Sequence, residues 1–269
     1  MMSTCEERMT PELSGASTLW AHIYRYKFAL QYIRNKDVID IACGEGYGAA
    51  AMKGGGARRV LGVDISSETC EHARRKYGIE TLTADAQRLP LPDETFDVVV
   101  SFETIEHLPN PHQFLQECNR ILRPNGTIVV STPNKDIYSM ILNGASNPFH
   151  CSELSLDDFL QLMHRFFNKP MLYWQCPRQY TIWSPRRYAR TAGWWDHIPG
   201  FWRLVKSRNP LYNRNREARA RNNPVADILR PDMFLDHLLN PYVVTKPYTF
   251  IASDPTYLLC VAHKSNAGT

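Results

Sequence analysis

Several common features are missing from this chain, and each absence narrows what it can be. No apolar run approaches the roughly 18 residues needed to span a bilayer, so no membrane-crossing helix is expected. The seven cysteines include no C-x-x-C pair, which removes the usual zinc and thiol-exchange spacings. The odd count offers no complete disulfide framework either. The opening residues, Met1-Met-Ser-Thr-Cys-Glu-Glu-Arg8, lack the basic-then-apolar order of a secretory leader. No internal repeat or low-complexity tract is visible. A cytoplasmic setting is therefore the expectation. Acidic residues are scarce in one region only. Residues 178–221 hold eleven Arg and Lys against Asp196 and Glu217, a local charge of +9. The whole chain carries +4, so the remainder carries −5: an acidic body with a basic attachment.

With 269 residues, 43% of them hydrophobic, the chain can bury a sizeable core and still carry an insertion. Residues 1–16 are polar and expected to be flexible. Leu19, Ile23, Tyr26 and Leu30 fall at helical spacing and predict a helix over 17–33. Short apolar runs at 38–42, 60–63, 81–83, 98–101 and 127–131 read as strands. Helices are predicted between them over 46–52, 67–77 and 111–122. The second of these is capped by Ser66 or Ser67, and the third is started by Asn110 and Pro111. Strands alternating with helices imply a parallel sheet covered on both faces. Beyond Pro133, Ser155-Leu-Asp-Asp158 is a capping box opening a helix to about residue 164. Residues 171–175 and 257–263 read as further strands, with roughly 80 residues between them.

The densest signal is Val38-Ile-Asp-Ile-Ala-Cys-Gly-Glu-Gly-Tyr-Gly48, a strand running into a glycine turn, followed by Asp64 at the end of the next apolar run. That order belongs to an open α/β sheet that binds an adenosine-containing cofactor above its strand ends. Gly44, Gly46 and Ala49 fit G-x-G-x-x-A, and Asp64 lies about 20 residues on, so a dehydrogenase fits the spacing. Asp40 inside the strand and Glu45 in the turn argue otherwise, because their charge would repel a pyrophosphate. They suit the ammonium of a methionine moiety, met directly or through water, and hence S-adenosylmethionine.

Asp40-Ile-Ala-Cys-Gly-Glu-Gly-Tyr-Gly48 resembles motif I of the class I S-adenosylmethionine-dependent methyltransferases. The resemblance continues through Gly62-Val-Asp-Ile65, Ala84-Asp-Ala86, Phe96-Asp-Val-Val-Val100 and Leu122-Arg-Pro-Asn-Gly126, over roughly residues 20 to 175. It implies a Rossmann-like, seven-stranded, mostly parallel sheet with helices on both faces, and an antiparallel pair for strands six and seven. On this reading 17–177 and 251–265 form the core. Residues 178–250, with Trp183, Trp194, Trp195 and Trp202, form a large helical insertion between the last two strands that caps the substrate side.

The resemblance also implies roles. Gly44, Gly46 and Gly48 should meet the cofactor. Asp64 should accept both ribose hydroxyls, Ile65 should pack an adenine face, and Asp85 with Ala86 should meet the adenine edge. Phe102 and Glu103 should line the methionine end. Arg25, part of a His/Arg-Tyr element resembling that of glycan-modifying members, should reach the cofactor carboxylate, the alternative being a surface arginine.

Methyl transfer is an in-line displacement at a sulfonium, so alignment dominates, and a hydroxyl acceptor must also lose a proton. Glu103-Thr-Ile-Glu106-His107 and Asn147-Pro-Phe-His150 sit where that chemistry would occur. His107 or His150, with Glu106, could supply a base. Glu103, Glu106, His107 and His150 resemble the divalent-metal site of small-RNA 2′-O-methyltransferases, and in part ubiquinone-pathway O-methyltransferases. The turn Ser131-Thr-Pro-Asn134 and the 147–153 segment resemble enzymes of bacterial polysaccharide and secondary-metabolite pathways. The leading expectation is therefore O-methylation of a small or glycan-type acceptor, with the arginine-rich segment gripping an anionic one. N- or C-methylation of a natural product, RNA 2′-O-methylation, a non-catalytic cofactor-binding protein and contact with an anionic membrane surface remain open alternatives.

Overall fold

The structure is a computed structural model that describes residues 16–137, 147–177, 242–245 and 257–265. Its centre is one eight-stranded sheet in the order β3-β2-β1-β4-β5-β8-β6-β7. The strands are β1 (Asp37–Ile41), β2 (Arg59–Asp64), β3 (Glu80–Thr83), β4 (Phe96–Phe102), β5 (Leu122–Pro133), β6 (Asn168–Pro177), β7 (Tyr242–Thr245) and β8 (Tyr257–His263). The first five pair in parallel, and β8 enters antiparallel between β5 and β6. All seven expected strands are present. The eighth, β7, extends the edge by pairing antiparallel with the end of β6. It lies inside the segment expected to be a helical insertion. The rest of that insertion, and residues 1–15 of the segment expected to be flexible, fall outside the described residues.

Alternation along the strands divides the core into two layers. Val38, Val60, Val98, Val100, Val129 and Leu259 face one side, which is covered by α1 (Ala16–Ala29) and α2 (Tyr47–Gly54). Ile39, Ile41, Val63, Val99, Ile128 and Val130 face the other. There α4 (Pro111–Ile121) and α5 (Leu156–Phe166) bury Phe114 and Phe159 completely. Each such side chain contributes about 1.5–3 kcal/mol relative to exposure. Helix α3 (Ser67–Tyr77) packs between α2 and β3.

The helix starts follow the expected chemistry. Ser66 Oγ accepts from the Thr69 amide at 3.2 Å, Asn110 Oδ1 from Gln113 at 3.2 Å, and Ser155 Oγ from Asp158 at 3.2 Å. Among the described residues no helix is long and apolar enough to cross a membrane. Because β1, β2, β4 and β5 are parallel, their carboxyl ends collect at one rim, and the turns that leave them build the site.

Candidate active site

A cavity of about 590 Å³ opens at that rim. Another concavity of similar volume lies along the β3 edge, lined by Arg59, Arg74 and Leu91, away from those turns. At the rim cavity, Gly44 leaves β1, and Asp64 ends β2 with both carboxylate oxygens engaged. Oδ2 accepts from the Gly44 amide and Oδ1 from the Ser66 amide, each at 3.0 Å. Those bonds fix the carboxylate while leaving lone pairs turned to the cavity that it lines. Ile65, 70% exposed, stands beside it as an apolar platform. Asp85, whose Oδ1 accepts from the Gln87 amide at 2.9 Å, and Ala86 close this end. Phe102 and Glu103 border the other end.

Several expected site residues lie beneath the cavity instead of in its wall. Asp40 is fully buried, does not line the cavity, and accepts from the Tyr26 hydroxyl at 3.1 and 3.3 Å. Burial outweighs that hydrogen bond, and with Asp64 nearby the Asp40 carboxyl is pushed up to about 8. Asp40 is thus mostly neutral at pH 7 and cannot supply the repulsion expected of it. Glu45 turns away, toward Lys76 at 3.7 Å and His72 at 3.8 Å on α3. The negative lining comes from Asp64, Asp85 and Glu103.

Gly46 and Gly48 are also absent from the wall. A Cβ on Gly46 would come within 2.5 Å of the Ala73 Cβ, and one on Gly48 would enter the Tyr26 ring. These glycines let α1 and α3 close on the turn. Arg25 is fully buried and does not line the cavity, so it is neither a surface arginine nor part of the wall. It donates to Gln175 Oε1 at 2.9 Å, faces Glu103 Oε1 at 3.5 Å, and lies 4.6 Å over the Tyr257 ring.

The proposed chemical group assembles in part. Among the described residues Glu106, His107 and His150 bring their ligand atoms within 4.8 Å of one another. Glu103, expected with them, is held by the Ser131 hydroxyl at 2.7 Å and by Arg25, outside that group. Glu106 Oε2 accepts from Thr132 Oγ1 at 3.1 Å, while Oε1 is buried with no hydrogen-bond partner among the described residues, 4.0 Å from His107 Nε2. Burial, with Glu103 adding to it, pushes the Glu106 carboxyl well above the usual range.

His107 Nδ1 lies 3.0 Å from the Phe149 carbonyl, which can only accept. The neutral ring therefore carries its proton on Nδ1 and a lone pair on Nε2. His150 repeats the pattern, with Nδ1 2.8 Å from Glu153 Oε1 and Nε2 3.2 Å from the Asn147 amide nitrogen. The two rings meet edge to face at 5.0 Å. Cys151 and Ser152 amides donate to the Glu106 carbonyl at 2.8 and 2.9 Å, which ties the 147–153 segment to the turn after β4.

Residues 39–130 match the family described as "Methyltransferase domain" (Methyltransf_11). A Mycolicibacterium smegmatis protein named "Probable S-adenosylmethionine-dependent methyltransferase" is 39% identical over 159 residues, covering 58% of this chain and 62% of that protein. Residues 39–130 thus carry a methyltransferase domain, and the chain is similar to S-adenosylmethionine-dependent methyltransferases. A ubiquinone biosynthesis O-methyltransferase from Actinobacillus pleuropneumoniae serotype 7 is 33% identical over 122 residues, covering 41% of this chain and 52% of that enzyme. The chain thus spans about 62% and 52% of the lengths of these two relatives. The fold of a Thermotoga maritima S-adenosylmethionine-dependent methyltransferase, described as a possible histamine N-methyltransferase, superposes with a TM-score of 0.58 at 17% identity, over 92% of each chain.

One wall of the cavity went unread in the sequence. Thr18, His22 and Tyr26, four residues apart on α1, share a face and line the cavity. Burial lowers His22 well below its usual pKa, and Arg25 adds to the effect. The four-residue spacing was the available signal. Phe149, 46% exposed, and Tyr257 complete the rim on segments far apart in the chain.

Proposed function

We propose that this protein methylates a hydroxyl of a small-molecule or glycan acceptor, using S-adenosylmethionine. The arrangement of the cavity supports the reading: a cofactor-shaped end at Gly44, Asp64 and Ile65, and a proton-accepting group at His107 across from it. The residues present fit the cofactor. Asp64 offers acceptors for a ribose diol, Ile65 an apolar face for adenine, and Glu103 a carboxylate for the ammonium. The acidic lining suits a cation. When bound, the cofactor supplies an electrophilic methyl whose departure leaves a neutral thioether.

The chain's own residues then orient and deprotonate. The Phe149 carbonyl holds the His107 ring so that Nε2 presents its lone pair, the atom suited to take the acceptor's proton. Glu106 Oε1 sits 4.0 Å from that nitrogen, where the positive charge of the imidazolium formed would favour ionisation of its raised carboxyl and be stabilised by it in turn. Phe149 and Leu108 provide apolar surface for the body of the acceptor. Oxygen as the methylated atom is supported by the relative named as an O-methyltransferase. Preference for an anionic acceptor is supported by the +9 charge of residues 178–221.

A second reading has its own observation. Glu106, His107 and His150 form a carboxylate-plus-imidazole donor set suited to a divalent ion such as Mn²⁺ or Zn²⁺. The unpartnered Glu106 Oε1 is the atom that such an ion would satisfy. The test is methyl transfer from labelled cofactor to a panel of hydroxyl acceptors, with and without chelator. His107→Gln should lower turnover by about 10²–10⁴-fold while cofactor affinity stays within about twofold. Full turnover by His107→Gln would remove the base assignment. Loss of activity on chelation, restored by Mn²⁺, would favour the second reading.

A further inference from the structure

Arg25 combines observations that packing alone does not explain. A fully buried guanidinium is costly unless its charge is met. Here only Nη1 has polar partners, Gln175 Oε1 at 2.9 Å and Glu103 Oε1 at 3.5 Å, while Nε and Nη2 have none among the described residues. Gln175, itself fully buried, is committed in turn: its Nε2 donates to the Ala21 carbonyl of α1 at 3.0 Å. The opposite partner, Glu103, sits at the cavity with φ +52°, a conformation that L side chains rarely adopt. The Glu103 amide donates to the Ser131 Oγ at 3.2 Å, and Ser131 Oγ donates back to its Oε1 at 2.7 Å. One carboxylate oxygen is thus taken by Ser131 and Arg25, leaving Oε2 as the oxygen to meet a ligand.

We propose that Arg25 is a positioning residue. Braced by Gln175 on β6, it pins Glu103 so that one carboxylate oxygen faces the methionine end of the cavity and receives the cofactor's ammonium. The proposal rests on the cofactor reading above. It assigns Arg25 an indirect part, acting through Glu103 with no contact of its own to the cofactor. It also ties recognition at the rim to the stem of β6, from which the basic segment departs.

The ammonium is the discriminating handle. Calorimetry would compare S-adenosylhomocysteine with its desamino analogue, which lacks only that amino group, on the intact protein. Wild type should prefer the amino form by about tenfold or more, the worth of one charge-assisted hydrogen bond. In Glu103→Gln and Arg25→Met the preference should shrink toward unity, and Arg25→Lys should restore part of it. The double variant should show no further loss beyond Glu103→Gln. A purely structural Arg25 would weaken both ligands equally, leaving the preference intact, and that result overturns the proposal. Should Arg25→Met fail to fold, Gln175→Leu, which removes the brace, makes the same comparison. If wild type binds neither ligand, the cofactor reading itself falls.

Discussion

Replacing Asp40 with asparagine should remove a pH dependence that the wild-type fold carries. The carboxyl of Asp40 is fully buried and among the described residues hydrogen-bonds the Tyr26 hydroxyl alone, so burial pushes it up to about 8 from an ordinary value near 4. Between those values the folded protein keeps a proton that the unfolded chain has released. Unfolding is therefore favoured as pH rises, by about 1.4 kcal/mol per pH unit while both conditions hold. From pH 5 to pH 7 this comes to about 3 kcal/mol, a large share of the roughly 5–15 kcal/mol that holds a typical domain together. Asparagine keeps an acceptor oxygen for Tyr26 and does not titrate. Burying its amide has a cost that does not change with pH. Urea unfolding of both proteins without cofactor at pH 5, 6 and 7 isolates the effect, because Glu106 and all other groups titrate in both. The variant should gain about 3 kcal/mol on wild type across that range. Parallel pH profiles would refute the reasoning, showing Asp40 to be ionised in the fold.

Other perturbations test neighbouring parts of the account. Asp64→Ala removes the carboxylate that ends β2, and S-adenosylhomocysteine affinity by calorimetry should fall by about tenfold to a hundredfold, as expected for losing a charged acceptor. Gly48→Ala drives a methyl into the Tyr26 ring and should cost about 1–3 kcal/mol in denaturant unfolding, despite alanine's better helix propensity. Ser155→Ala removes the cap of α5 and should cost about 1 kcal/mol by the same measurement, with cofactor affinity unchanged.

The local layers of this molecule were legible because they depend on neighbours in sequence. Apolar runs gave every strand of the seven-stranded core, and Ser66, Asn110 and Ser155 announced their helices through short-range capping. Asp64, Ile65, Asp85 and Glu103 line the cavity because strand ends in a parallel sheet must converge there. Depth was not legible. Asp40 and Arg25, expected to serve the cofactor, are both covered by partners distant in the chain, Tyr26 for one and Gln175, 150 residues away, for the other. No periodicity reports such pairing. Glu103 was grouped with Glu106 by proximity in sequence. A left-handed backbone at Glu103 and the 3-10 turn at Ile105–His107 send the two carboxylates to different partners. The wall formed by α1 was readable from its four-residue spacing, but helical spacing equally describes plain core.

The order of the last strands has an evolutionary consequence. Strand β8 lies between β5 and β6, and Gln175 of β6 pairs with Tyr257 of β8. The chain between them therefore leaves the sheet at β6 and returns beside that strand, as β7 on one side of it and as β8 on the other. Its two roots are fixed whatever its length, and closing a longer excursion costs only about 0.6 kcal/mol for each doubling. The intervening chain can be lengthened, shortened or exchanged without disturbing the turn at Gly44 or the carboxylate at Asp64. On the proposed function, a lineage built on this sheet acquires new acceptors by rewriting that one excursion, while the cofactor end is inherited intact.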